Sequence, residues 1–173
     1  AEILFSHVHI KQQHYDAAIK HIDRIPELSS AFASEAWKLL LQCKSNIDEH
    51  SLASILVRWL EKTQNTTIAL ALADSIQNEQ GASEAENFIL RHIKRNPTMK
   101  GFHRLMTYQL EAMHDDKAAE SISLLRSLVE NQMAVKPVYR CEHCGFSSKV
   151  IFWHCPSCKQ WGSISPIQGL DGD

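Results

Sequence analysis

The sequence predicts a mainly α protein, an α-helical repeat solenoid that ends in a small β metal ribbon. Three observations carry this. Residues 1 to about 133 show helical apolar spacing almost throughout, with only Pro26 and Pro97 interrupting and glycine only at Gly81 and Gly101. The predicted helices fall into pairs of regular length. After Pro137 the pattern changes to short β-like runs around two C-x-x-C pairs, Cys141/Cys144 and Cys155/Cys158, separated by ten residues.

The helical stripes are explicit. Leu52, Ile55, Leu56, Trp59 and Leu60 lie on one helix face. Ile68, Leu72 and Ile76 repeat every fourth residue, with Ala69 and Ala73 beside them. Phe102, Leu105, Met106, Leu110 and Met113 form a third stripe, and Ile122, Leu125, Val129 and Met133 a fourth. Helices are predicted near 1–12, 15–25, 29–45, 48–63, 66–78, 82–95, 98–113 and 116–132. Ser29, Asp48, Thr66 and Asp115 are predicted N-caps, because each offers a side-chain oxygen to the free N–H groups of a first turn.

Pro26 and Pro97 each close a predicted helix and stand 71 residues apart, about two periods of a 34-residue helix-turn-helix repeat. The segments around Tyr15–Ala18 and Gly81–Ala85 resemble degenerate tetratricopeptide repeats. Tyr15 and Ala18 match an aromatic and a small packing residue of that pattern, and Gly81 its turn glycine. The Trp and Leu-Gly signature of the first repeat helix is missing.

The predicted division is a tetratricopeptide-like helical domain over 1–133 and a metal-binding domain with its tail over 138–173. Pro137 cannot continue a helix. Val138-Tyr139-Arg140, Lys149–Trp153 and Gly162-Ser163-Ile164 read as strands. So few residues build no ordinary core, and a structural metal contributes on the order of 10–16 kcal/mol to such a fold.

Two facing knuckles place four thiolates around one point, the requirement of a closed tetrahedral site. The predicted metal ligands are Cys141, Cys144, Cys155 and Cys158, and the predicted cofactor is one tetrahedral ion, iron or zinc. Gly145 permits the turn that aims backbone N–H groups at the sulfurs. Arg140, Lys149 and Lys159 are near enough in sequence to offset the negative site charge. The main reading is a structural rubredoxin-like or zinc-ribbon site, with an electron-transfer iron site and a dithiol/disulfide pair as alternatives. His143 and His154 are not expected to ligate, since four thiolates complete the sphere. Tyr139, Phe146, Phe152, Trp153 and Trp161 are expected to cover the site and dock the ribbon; stacking on single-stranded nucleic acid is the alternative use.

Other features set bounds. The net charge is −2, and residues 136–173 carry four basic and three acidic side chains, so no nucleic-acid partner is expected. The longest apolar run, Ile68–Ala73, is far short of a membrane span. No signal peptide is visible, and the chain begins Ala1-Glu2-Ile3-Leu4 without methionine, as a fragment of a longer protein would. Reduced thiolate ligands favour a reducing compartment. Cys43, among leucines, is expected to be a small buried hydrophobe. His7, His9, His14, His21, His50, His92, His103 and His114 are read as surface or packing residues. No P-loop, G-x-G-x-x-G, G-x-S-x-G or H-E-x-x-H pattern occurs, and the chain is expected not to be an enzyme.

The ending Tyr139-Arg140-Cys141-x-x-Cys144-Gly145-Phe146, Trp153-His154-Cys155-Pro156-x-Cys158, Trp161 and Pro166-Ile167-x-Gly169-Leu170-Asp171-Gly172 resembles the lipopolysaccharide assembly protein B family. The resemblance implies tetratricopeptide repeats followed by a rubredoxin-like domain, with the four cysteines as ligands. It implies a non-enzymatic adaptor on the cytoplasmic face of the Gram-negative inner membrane, attached through an anchor absent from this chain. The implied partners are proteins: a membrane AAA protease, the lipid A deacetylase whose proteolysis it promotes, and other lipopolysaccharide assembly proteins. By this route lipopolysaccharide synthesis is restrained. A rubredoxin-like electron carrier and a nucleic-acid-binding zinc ribbon are the alternative functions.

Overall fold

The computed structural model describes residues 1–113 and 116–173. Among them are eight α-helices and a three-stranded antiparallel sheet. The helices are α1 (Glu2–Lys11), α2 (Tyr15–Leu28), α3 (Ala33–Gln42), α4 (Glu49–Thr63), α5 (Thr66–Gln80), α6 (Ala82–Arg95), α7 (Met99–Ala112) and α8 (Asp116–Val135). The strands are β1 (Tyr139–Cys141), β2 (Ser147–Ser148) and β3 (Ile164–Pro166). The mainly α class with a terminal β ribbon is therefore what the periodicity predicts. The chain divides into two compact units, Ala1–Ser75 and Ile76–Asp173.

In the first unit, α1 packs on α2, and α2 on α3 and α4. Ala18 on α2, the small residue of the repeat pattern, is fully buried, which lets the helix backbones approach. Ile22, Leu40, Leu56, Trp59 and Ile68 complete the core, with Tyr15 and Trp37 packed at its edge. Cys43 is buried here as expected, and burial pushes its thiol pKa up. Polar pairs tie helices together at the rim. Asp23 Oδ1 accepts from Trp59 Nε1 at 2.8 Å and pairs with Arg58, while Glu2 pairs with His21 and Arg24.

In the second unit, α6 buries Ala85, Ile89, His92 and Ile93, and α7 packs against both α6 and α8. A Cβ on Gly101 would come within 2.4 Å of Ile93 Cγ2, so this glycine sets the approach of α7 to α6. Helix α8 differs from its prediction. It buries no residue, and Leu125 of the expected inner stripe is 55% exposed alongside Leu124 and Leu128.

Several predicted boundaries are corrected. Helix α2 runs through Pro26 to Leu28; the ring is buried, and the helix continues although Pro26 has no N–H to donate to the Ile22 carbonyl. The predicted helix 29–45 is split into α3 flanked by 3₁₀ turns, and Ser29 makes no side-chain cap. Asp48 caps α4 as predicted, accepting from Ser51 N at 2.8 Å. Thr66 is not the cap of α5: it is the first helical residue, and Asn65 Oδ1 accepts from Ile68 N at 3.2 Å. Thr98, not predicted, caps α7 through Gly101 N. The predicted cap Asp115, with His114, lies outside the described residues.

In the ribbon, β1 is central, pairing Arg140 with Ser147 of β2 and Cys141 with Ile164 of β3. The predicted strand 149–153 does not form; β2 is shorter and earlier, and Val150, Phe152 and Trp153 lie exposed in a loop. Beyond β3 the tail folds back on α7 and α8. Ile167 N donates to Val138 O at 2.8 Å, and the Leu170 carbonyl accepts from Met99 N, one of the free donors of the first turn of α7. Asp173 pairs with Lys100 at 2.8 Å and Asp171 with Lys136.

Candidate metal centre

The two C-x-x-C segments fold into matched knuckles. Cys141 N donates to Phe146 O at 2.7 Å and Gly145 N to Cys141 O at 2.9 Å. Fourteen residues on, Cys155 N donates to Gln160 O at 2.9 Å and Lys159 N to Cys155 O at 3.0 Å. Each knuckle closes with a positive φ after its second cysteine, 77° at Gly145 and 61° at Lys159. The first was expected from the glycine; the second, on a lysine, carries no sequence signal of its own. Each knuckle is flanked by an antiparallel pair, Arg140 with Ser147 and His154 with Trp161.

This symmetry brings Cys141, Cys144, Cys155 and Cys158 together, with all four Sγ atoms within 4.8 Å of one another. Cys141 Sγ lies 3.8 Å from Cys158 Sγ, and Cys144 Sγ 3.7 Å from Cys155 Sγ. A tetrahedral ion with bonds of about 2.3 Å to sulfur separates its ligands by about 3.8 Å. The donor set thus fits one closed four-thiolate site. All four cysteines are free thiols, at separations well beyond a disulfide bond. The first cysteine of each knuckle is buried with Tyr139 and Ile164 in the ribbon core; Cys144 is exposed, and Cys158 is partly buried against that core.

The electrostatics point the same way. Ser163, above all, and then the backbone N–H groups of Cys144 and His143 bring the Cys141 thiol down to about 6. The Phe146 N–H lowers Cys144. The Gln160 N–H acts to lower Cys158, but burial and the three neighbouring sulfurs outweigh it and push that thiol up to about 11. Four sulfurs this close cannot all ionise by themselves; a cation at their centre removes the conflict. The backbone N–H groups of His143, Cys144, Phe146 and Gln160 thus act on the sulfurs in the predicted sense.

The surroundings depart from expectation in part. Lys149 donates to Ala134 O at the end of α8 and Lys159 to Pro156 O, so neither ammonium is directed at the sulfurs. Of the five aromatics, Tyr139 is buried and Phe146 packs on the ribbon core with Phe152 edge-on to it. Trp161 is 75% exposed, its ring tilted by 37° against that of His154 with centroids 4.8 Å apart. His143 and His154 stand outside the four-sulfur group. Sequence reasoning missed Ser163, whose Oγ lies 3.2 Å from Cys141 Sγ; no motif marks it.

Residues 139–166, the span of this ribbon, match the family described as a rubredoxin metal binding domain. The whole chain aligns with lipopolysaccharide assembly protein B of Escherichia coli K12, 35% identical over 98% of this chain. The chain is homologous to the lipopolysaccharide assembly protein B family. The Haemophilus influenzae protein of the same name is 29% identical over 99% of the chain. The chain spans less than half the length of these relatives, 44% and 43% respectively. Similarity to lipopolysaccharide assembly protein B therefore covers the helices as well as the knuckles. Among the described residues, no helix is long and apolar enough to cross a membrane.

Proposed function

We propose that the chain serves as a non-enzymatic adaptor in lipopolysaccharide assembly, with residues 1–133 as a protein-binding repeat scaffold and 138–173 as a metal-stapled ribbon. The observation that carries this is the four-sulfur cluster at tetrahedral spacing in a chain homologous throughout to lipopolysaccharide assembly protein B. Stacked helix pairs present extended surfaces to partners. A four-thiolate site leaves no open position for a reacting water, which favours a structural role for the ion. Cys141, Cys144, Cys155 and Cys158 are its ligands, and zinc and iron both suit them.

The finer reading is that the adaptor works at the cytoplasmic face of the inner membrane and promotes proteolysis of the lipid A deacetylase by a membrane AAA protease. The test is deacetylase half-life in cells lacking the endogenous adaptor and supplied with the full-length protein that carries this segment. A shortened half-life, lost in the Cys144→Ser/Cys158→Ser double variant, is expected. An unchanged half-life with the protein stably present contradicts the proteolytic reading.

A second reading, an electron carrier, draws on the N–H···S bonds, which tune iron–sulfur sites. Reversible cycling of the iron form with a cellular reductase supports it, and zinc as the resident ion in cells contradicts it.

A further inference from the structure

Ser163 touches both knuckles. Its Oγ is 3.2 Å from Cys141 Sγ in the first and 3.3 Å from Gln160 O in the second. Its own carbonyl accepts from Glu142 N at 2.8 Å, which fixes its backbone against the first knuckle. The hydroxyl has one proton to give. A metal-bound thiolate has none, so when Cys141 ligates, the proton of Ser163 points at sulfur. Gln160 O then stays satisfied, because it already accepts from Cys155 N at 2.9 Å. Cys141 is 1% exposed, so solvent does not supply this bond instead.

The two knuckles differ here. The position matching Ser163 in the first knuckle is Lys149, which turns away to the Ala134 carbonyl. The hydroxyl thus marks one sulfur of a site otherwise built on paired backbone bonds.

We propose that Ser163 is a positioning residue of the metal centre, donating an O–H···S hydrogen bond that orients the buried Cys141 thiolate and stabilises it in the loaded site. The inference rests on the metal reading above. Groups that hydrogen-bond to ligands typically govern about 10–100-fold in metal affinity.

The test uses metal-free wild-type protein, Ser163→Ala and Ser163→Thr, titrated with Co²⁺ against a chelator and followed by thiolate-to-cobalt absorption. The same proteins loaded with iron are measured for reduction potential. Ser163→Ala is expected to bind Co²⁺ about tenfold more weakly. Its iron form is expected at a lower potential, because a bond that favours the more negative reduced site is gone. Ser163→Thr, which keeps the hydroxyl, is expected to restore both. Equal loss in Ala and Thr variants assigns the effect to packing and overturns the proposal, as does an Ala variant with wild-type affinity and potential. A wild-type protein that binds no Co²⁺ overturns the metal reading itself and this inference with it.

Discussion

The helices and the ribbon are held together by different means. The first helical unit encloses Ile22, Leu40, Leu56, Trp59 and Ile68 in an apolar core fed by four neighbouring helices. The ribbon's buried cluster is Tyr139, Cys141, Cys155 and Ile164, so half of it is thiol. Apolar burial of about 25 cal/mol per Å² accumulates over the helices, but a module this small has little area to bury. Its order depends on drawing four sulfurs to one point. On the proposed reading, the contrast is between helices held by an apolar core and a ribbon ordered by its metal ion.

The largest expected effect separates the two. Stripping metal, or Cys155→Ser at the buried knuckle position, is expected to make residues 138–166 protease-sensitive while most far-ultraviolet helicity persists. Complete loss of helicity would dissolve the distinction. The reverse experiment is Trp59→Ala, which empties a core position 2% exposed and removes the donor to Asp23. It is expected to cost about 3–5 kcal/mol in urea unfolding of the helices. Metal affinity is expected to stay at the wild-type value, read by chelator competition.

A third variant targets the tail that ties ribbon to helix. A Cβ on Gly172 would lie 1.7 Å from Ile167 O, so Gly172→Ala forces the tail open at a cost of about 1–3 kcal/mol. Faster amide exchange at Met99, which donates to Leu170 O, and at Gly169, which donates to Asp173 O, checks it. Within the ribbon, Lys159 holds the left-handed conformation that Gly145 holds in the other knuckle. Lys159→Gly is expected to be neutral or slightly stabilising, and Lys159→Val to cost about 1–3 kcal/mol, in thermal unfolding of the loaded ribbon. Equal effects of both would deny the knuckles their equivalence.

The smallest effect is a pH dependence confined to the helices. Hydrogen bonds from Ser51 hold the Asp48 carboxyl below its ordinary pKa. A depressed folded pKa contributes stability that is present above the unfolded value and lost as pH falls through the folded one. Asp48→Asn keeps a cap that does not titrate, so this acid-linked part of the loss is expected to disappear in its acid unfolding curve.

These contrasts also explain what was legible in the sequence. The four cysteines were legible because ligand chemistry fixes residue type and spacing together. The helices were legible from periodicity, which records one buried face. Caps were less so: Asp48 and Asn65 both offer an oxygen before a helix, and only the backbone path places Asn65, not Thr66, in the cap. The run Val150–Trp153 has strand-like residues, yet β1 already takes β2 and β3 as neighbours, and the run lies in the loop between knuckles. Ser163 and the tail latch were invisible because they depend on contacts between segments distant in sequence, Lys100 with Asp173 above all.

The most direct test of the central claim is native mass spectrometry of the protein purified without added metal, paired with thiol labelling. One zinc or iron ion per chain is predicted, with Cys141, Cys144, Cys155 and Cys158 protected until a chelator removes it. A metal-free chain whose four thiols label freely, in a ribbon that remains folded, would contradict the account.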